Sequence, residues 1–352
     1  MTIDKQKIKK GLLLTTAHTQ CGFQRFFKCS SRIIFSSRLI HSQLRNPALR
    51  IAANVSGKQK NVFMRWIKNI WTKIIIVFII IILIYLFGFP KLSLYLQSRF
   101  LSTASNGFET PETFGISYER VKIRSDNRFL DSYIVIAPST KQKRNVVLIF
   151  HGAEETISCW AKVQKRLYDN GISSLVFDYS GFGNSSCPGS IKNLNKDALA
   201  VYLYSVSKFK NCRLYVLGFS LGNAPMLASI NDFKPVPSGV IVGSAFSSLK
   251  ELGKYSGKAN SLFKILANVI PDIWNNTNAI KSNTSRLLVL HSDSDASNPL
   301  FMGQKIYSSA NRPKQFVLLH GLKHNAPISD SSEVWWIPVY RFIEKDNNID
   351  IK

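Results

Sequence analysis

Cysteine and acidic side chains are the scarce elements of this chain. Its 352 residues hold five cysteines, Cys21, Cys29, Cys159, Cys187 and Cys212. Their spacing suits neither a metal site nor the paired framework of a disulfide-stapled domain. Neither a metal nor an organic cofactor is expected. Aspartate and glutamate number 21 against 46 lysines and arginines, for a formal charge of +25. The shortage of acid is most severe at the N-terminus. Residues 1–73 carry fifteen Lys or Arg and one acid, Asp4, which gives +14 of that total. Nucleic acid is the obvious partner for such an excess, but no helix-turn-helix, zinc-finger or RNA-binding signature accompanies it, and none is expected as partner. Internal repeats and long low-complexity linkers are also missing.

The basic tail gives way to a long apolar run. Ile74 to Phe89 is free of charge, and Ile70 to Pro90 contains only Lys73, which can snorkel from a helix end. About 20 apolar residues span a bilayer, so 70–90 is expected to be a single transmembrane helix. The run starts too far from the N-terminus for a cleaved signal peptide. Lys58, Lys60, Arg65, Lys68 and Lys73 precede it, whereas Lys91 and Arg99 come after it. The positive-inside tendency therefore puts residues 1–69 in the cytoplasm, or in the matrix of a mitochondrion, and everything after the span on the opposite side. An endomembrane or plasma membrane is the favoured location. The Arg-rich, acid-poor stretch Phe23 to Arg50 also has the composition of a transit peptide. A tail lying against anionic lipid accounts for the same charge.

Beyond a stalk at 91–113 the pattern changes to short β-rich runs: Ser117–Ile123, Ser132–Ile136, Val146–Phe150, Ser173–Phe177, Leu214–Leu217, Gly239–Gly243, Leu287–His291 and Phe316–Leu319. After the first two they alternate with helix-length segments at Ser158–Asn170, Leu194–Lys208, Asn223–Ile230, Met302–Ser309 and Ser332–Lys345. Such alternation predicts an α/β fold, a mostly parallel sheet covered by helices on both faces. Between the sixth and seventh strands lies an insertion at about 247–282. Its stretch Ser261–Ile270 has apolar residues at helical spacing. It reads as a small cap over the site or as an ordinary covering helix.

Four strand ends carry chemistry. Gly218-Phe219-Ser220-Leu221-Gly222 follows one strand and opens a helix, the setting of a nucleophile elbow that presents Ser220 Oγ in a strained turn. The helix behind it points N–H groups at a reacting carbonyl, and Leu221 N–H is the first oxyanion donor expected. His151-Gly152-Ala153 ends the strand Val146–Phe150, where Ala153 N–H is the second. His291-Ser292-Asp293-Ser294-Asp295 ends another strand and supplies a carboxylate. Asp295 is the expected acid, with Asp293 as the alternative. His320-Gly321-Leu322-Lys323-His324-Asn325 follows the last strand, and His324 is the expected base, with His320 and His291 as alternatives. A serine hydroxyl needs such an imidazole to take its proton during attack, and the imidazole needs a carboxylate to fix its tautomer.

At these residues the chain resembles the α/β-hydrolase superfamily, and within it the membrane-anchored ABHD-type, Bem-like serine hydrolases. The likeness runs from about Phe114 to Glu344, in the order Ser220, Asp295, His324 that this fold uses. It includes Asp178-Tyr179-Ser180-Gly181-Phe182-Gly183, where the family pattern has arginine in place of Ser180. It also includes the acid loop, where the pattern has glycine at Ser292 and a valine-proline pair that Ala296-Ser297-Asn298-Pro299 only partly matches. The resemblance implies a hydrolase domain at 114–345 with a short tail at 346–352. It also implies hydrolysis of ester or thioester bonds through an acyl-enzyme, on lipid-like acyl substrates at a bilayer. A serine peptidase of the same fold and a non-catalytic membrane scaffold are the competing expectations. Asn184, Asn275 and Asn283 begin N-x-S/T sequons open to glycan in a eukaryotic lumen.

Overall fold

The computed structural model describes residues 47–88, 108–138, 144–255, 272–329 and 333–345. The tail before residue 47, Phe89 and Pro90 at the end of the apolar run, most of the stalk, the cap stretch Ser261–Ile270 and the tail 346–352 lie outside the described residues. The chain divides into two compact units, Met1–Leu83 and Ile84–Lys352.

Helix α1 spans Pro47–Leu83 and winds into a π-helical turn, Ile84–Gly88. Pro47 is its first residue, where a missing N–H removes no helical bond. The helix thus starts well before the apolar run at 70. Hydropathy marks only its apolar part, while the intervening Lys, Arg, Met and Trp are adequate helix formers. Eighteen consecutive residues within Gln59–Gly88 reach a mean hydropathy of 2.8, and the stretch is long and apolar enough to cross a membrane.

The second unit is built on one eight-stranded sheet: β1 (Glu119–Ser125), β2 (Arg128–Val135), β3 (Asn145–Phe150), β4 (Ile172–Phe177), β5 (Arg213–Phe219), β6 (Gly239–Gly243), β7 (Leu287–Ser292) and β8 (Lys314–Leu319). Their order is β1-β2-β4-β3-β5-β6-β7-β8. β2 pairs antiparallel with both β1 and β4, and every other pairing is parallel. All eight β-rich runs of the sequence are strands. Each central strand is buried on both faces, which is why it reads as an unbroken apolar run.

Period-two alternation sorts β3 between two cores. Val146, Leu148 and Phe150 join Leu194, Ala198 and Val201 of α3 (Ile191–Lys208) and Met302 and Ile306 of α7 (Leu300–Ser309). Val147 and Ile149 join Val163 and Leu167 of α2 (Ala161–Asp169) and Trp335, Trp336 and Val339 of α8 (Glu333–Glu344) on the other face. Because β3 lies between β4 and β5, the connections leave in opposite directions on its two sides. A crevice opens there at the carboxyl ends of the strands, the place where such sheets bind ligands.

Two shorter helices follow β6: α5 (Leu249–Tyr255) and α6 (Asn276–Ala279), with the elbow helix α4 (Asn223–Ala228) earlier in the chain. The insertion is clamped at its base. Ser248 bridges to Asn275, Leu249 N–H donates to Trp274 O at 2.9 Å, and Thr277 N–H donates to Ser247 O at 3.0 Å. Trp274, four residues beyond the apolar stretch of the insertion, is buried in the main core and donates Nε1–H to Asn195 Oδ1 at 2.9 Å.

The serine that replaces the family arginine at 180 has a compensating partner. Arg128 reaches in from β2 and donates Nε–H to Ser180 Oγ at 2.8 Å and an Nη2 hydrogen to Asp197 Oδ1 at 3.1 Å. Asp197 is fully buried and also accepts from Ser125 Oγ at 2.6 Å and Ser180 N–H at 2.8 Å. A carboxylate so placed persists only with a cation and donors around it. Here the cation, Arg128, comes from the start of β2. Cys159, Cys187 and Cys212 are free thiols. Of the three sequons, Asn184 is exposed, whereas Asn283 is buried with its amide folded against Ser285.

Candidate active site

Ser220 stands at the turn from β5 into α4 with φ of +51°, in the left-handed region that a residue with a Cβ occupies at a cost of about 1–2 kcal/mol. The flanking glycines allow that turn by leaving space. A Cβ on Gly222 would lie 2.0 Å from Phe150 O, and one on Gly218 would lie 2.8 Å from Asn223 Cα. The first turn after the serine thus crosses directly over the end of β3, which brings Ala153 and Leu221 to the same strand ends. Ser220 is half-buried.

His324 lies on the loop after β8. Its Nδ1–H donates to Asp295, 2.9 Å from Oδ1 and 2.8 Å from Oδ2, which leaves Nε2 as the acceptor for the Ser220 hydroxyl at 2.9 Å. The Asp295 carboxylate is buried, while the imidazole keeps about a quarter of its surface open, 24%. Burial pushes the Asp295 carboxyl up, but the His324 bond and charge together with Asn298 N–H outweigh it and hold the group below the ordinary carboxylate range. Ser297 N–H and Asn298 N–H both donate to Oδ1 at 2.9 Å, so Asp295 orders its own turn as well as facing the imidazole.

The rival residues sit elsewhere. Asp293 and His320 pair with each other at 2.7 Å in an exposed position, and Gly321 N–H adds a second donor to Asp293 at 2.9 Å. That backbone donor, His320 and Ser294 lower the Asp293 carboxyl to about 2. His291 is fully buried and donates Nε2–H to Asn298 O at 2.8 Å. Burial pushes its pKa down, so it remains a neutral support for the acid loop.

The strand end that carries Ala153 is held by a buried carboxylate. Glu155 Oε2 accepts Gly152 N–H at 2.7 Å and Trp160 Nε1–H at 2.8 Å. His151 donates Nδ1–H to Gly152 O at 2.8 Å, with Tyr179 and Phe182 packed against its ring. Sequence reasoning missed Glu155, Asn223 and Asn298. Each is a single polar residue whose only signal was its position one to three residues beyond a motif. Among the described residues, no cluster of His, Cys, Asp or Glu suits a metal ion.

An eight-stranded sheet of this order, with a serine elbow after β5, an acid after β7 and a histidine after β8, decides the fold family. The chain has the α/β-hydrolase fold. Residues 141–286 match the family described as serine aminopeptidase, S33. The Schizosaccharomyces pombe protein Bem46 is 25% identical over 247 residues, covering 68% of this chain and 76% of that protein. Lysophosphatidylserine lipase ABHD12 of Danio rerio is 27% identical over 195 residues, half of this chain and 50% of the lipase. Among solved structures, the Pyrococcus furiosus esterase Pf2001 superposes with a TM-score of 0.57 at 18% identity, over 70% of this chain and 98% of the esterase. At that identity the esterase speaks for the α/β-hydrolase fold alone. Both relatives are similar to this chain, Bem46 at 25% and the lipase at 27% identity.

Proposed function

We propose that this chain is a membrane-anchored serine hydrolase that cleaves ester or thioester bonds of lipid-like acyl substrates. The observation that carries the reading is the unbroken relay from Ser220 Oγ through His324 to Asp295, with neither link longer than 2.9 Å. Ser220 Oγ attacks the acyl carbon while His324 Nε2 takes its proton. Leu221 and Ala153 N–H groups receive the developing oxyanion. His324 then returns the proton to the leaving oxygen or sulfur, and a water deprotonated by the same imidazole releases the acid. Asp295 keeps Nδ1 protonated throughout and stabilises the imidazolium. The lysophosphatidylserine lipase supports an acyl lipid as substrate, and the apolar helix at Gln59–Gly88 supports delivery of that substrate from a bilayer.

The purified full-length chain is expected to hydrolyse p-nitrophenyl esters and monoacyl lysophospholipids, and to leave peptide amides intact. Cleavage of a peptide amide without ester turnover would overturn the lipid reading in favour of a peptidase.

The same proposal places residues 1–69 on the cytoplasmic or matrix side and the hydrolase domain across the membrane, because the basic residues that closely precede Ile74, Lys58, Lys60, Arg65, Lys68 and Lys73, outnumber Lys91 and Arg99 that closely follow Phe89. In sealed vesicles with the cytoplasmic face outward, protease is expected to remove the tail and spare the domain. Digestion of the domain without detergent would reverse the orientation and shift the substrate to the other leaflet.

A further inference from the structure

Two buried asparagines link the nucleophile turn to the acid loop across the end of β6. On one side, Asn223 Nδ2 donates both to Ser220 O at 3.0 Å and to Gly243 O at 2.9 Å. On the other, Asn298 Nδ2 donates to Ser244 O at 2.6 Å, while its backbone N–H donates to Asp295 Oδ1 at 2.9 Å. Gly243 and Ser244 are consecutive, so the two amides grip neighbouring carbonyls. Asn223 is 0% and Asn298 3% exposed, out of reach of competing water.

The strand end they grip is itself fixed. Ser244 has φ of +46° and donates its N–H to Leu290 O of β7 at 3.0 Å. Asn298 is held from behind by His291 Nε2–H on its carbonyl, and a Cβ on Gly303 would lie 2.3 Å from the His291 ring, so the imidazole has no room to swing away. From Ser220 O to Asp295 Oδ1 the connection therefore runs through hydrogen bonds that are buried except at the Ser220 end, and it never passes through His324.

We infer that Asn223 and Asn298 are positioning residues, a two-amide bracket that sets the span from Ser220 to Asp295 which one imidazole must bridge. The inference rests on the triad reading above. It explains how the acid loop holds its place with asparagine at 298, where the family pattern has valine. Valine has similar bulk and no donor. An ångström of drift in either end of a relay costs on the order of a hundredfold in rate. Positioning of this kind acts on the chemical step and leaves substrate affinity alone.

The test uses the full-length chain in detergent with p-nitrophenyl butyrate, with rates normalised to sites titrated by a fluorophosphonate so that unfolded chains do not count. Asn298→Val is expected to lower kcat ten- to a hundredfold with KM within about twofold, and Asn223→Ala to do likewise. The double variant is expected to lose about as much as the worse single one, because either change already opens the bracket. Asn298→Ser, which keeps a shorter polar side chain, is read the same way where the valine variant folds poorly. A lowered melting temperature with unchanged kcat, or losses that multiply in the double variant, would overturn the bracket while Ser220→Ala stays inert. Turnover retained by Ser220→Ala would instead remove the site reading, and the bracket with it.

Discussion

Ser220→Ala is expected to lower kcat for ester hydrolysis by on the order of 10⁶ and to abolish fluorophosphonate labelling, with the domain still folded. The loss is this large because the hydroxyl is the atom that forms the acyl bond. The oxyanion donors alone leave only a small residual acceleration over water. Stability is expected to change little, since among the described residues the deleted oxygen has one protein partner, His324 Nε2, in a half-open site. Ser220→Gly separates catalysis from strain. It is equally inert, but glycine occupies φ of +51° without the Cβ clash, an advantage of about 1–2 kcal/mol partly offset by the greater entropy of its unfolded chain. The glycine variant is therefore expected to melt no lower than the alanine variant. Turnover retained in Ser220→Ala, measured on chains shown to be folded, would sink the assignment.

The strands were legible in the sequence chiefly because six of them, β2 to β7, are buried along most of their length, and burial on two faces leaves little room for polar residues. The chemistry at their ends was legible for a related reason. His151, Ser220, Asp295 and His324 each stand directly after an apolar run or within five residues of its end, where a parallel sheet collects its functional groups. Arg128, Asn223 and Asn298 were not legible. Their partners Asp197, Gly243 and Ser244 lie 69, 20 and 54 residues away, and no local pattern announces a hydrogen bond at that range. The start of α1 at Pro47 was missed for a different reason. A hydropathy argument detects the part of a helix that suits lipid and is blind to its polar continuation.

The choice between the two acids is the sharpest remaining test of the site, and Asp295→Asn is expected to lower kcat by on the order of 10³ to 10⁴. The direction follows from the bonds that Asp295 Oδ1 already makes. Ser297 N–H and Asn298 N–H both donate to it, so the single oxygen of an asparagine has to sit there and its NH₂ group has to occupy the place of Oδ2. That NH₂ then faces His324 Nδ1, which can meet it only as an acceptor. The imidazole proton moves to Nε2, the nitrogen that must take the proton of Ser220, and the base is blocked. Asp293→Asn has no such route. It loosens an exposed pair with His320 and weakens the anchor of Gly321 on the loop that leads to His324, for an expected loss under about tenfold. With its carboxyl at about 2, Asp293 keeps that anchor charged down to strongly acidic solution. Its support is present above the ordinary carboxylate range and is lost only as the pH falls toward 2. Steady-state rates of the two variants on one ester, normalised to titrated sites, compare them directly. Equal losses, or a larger one in Asp293→Asn, would move the acid to Asp293 and leave Asp295 as the organiser of its own turn.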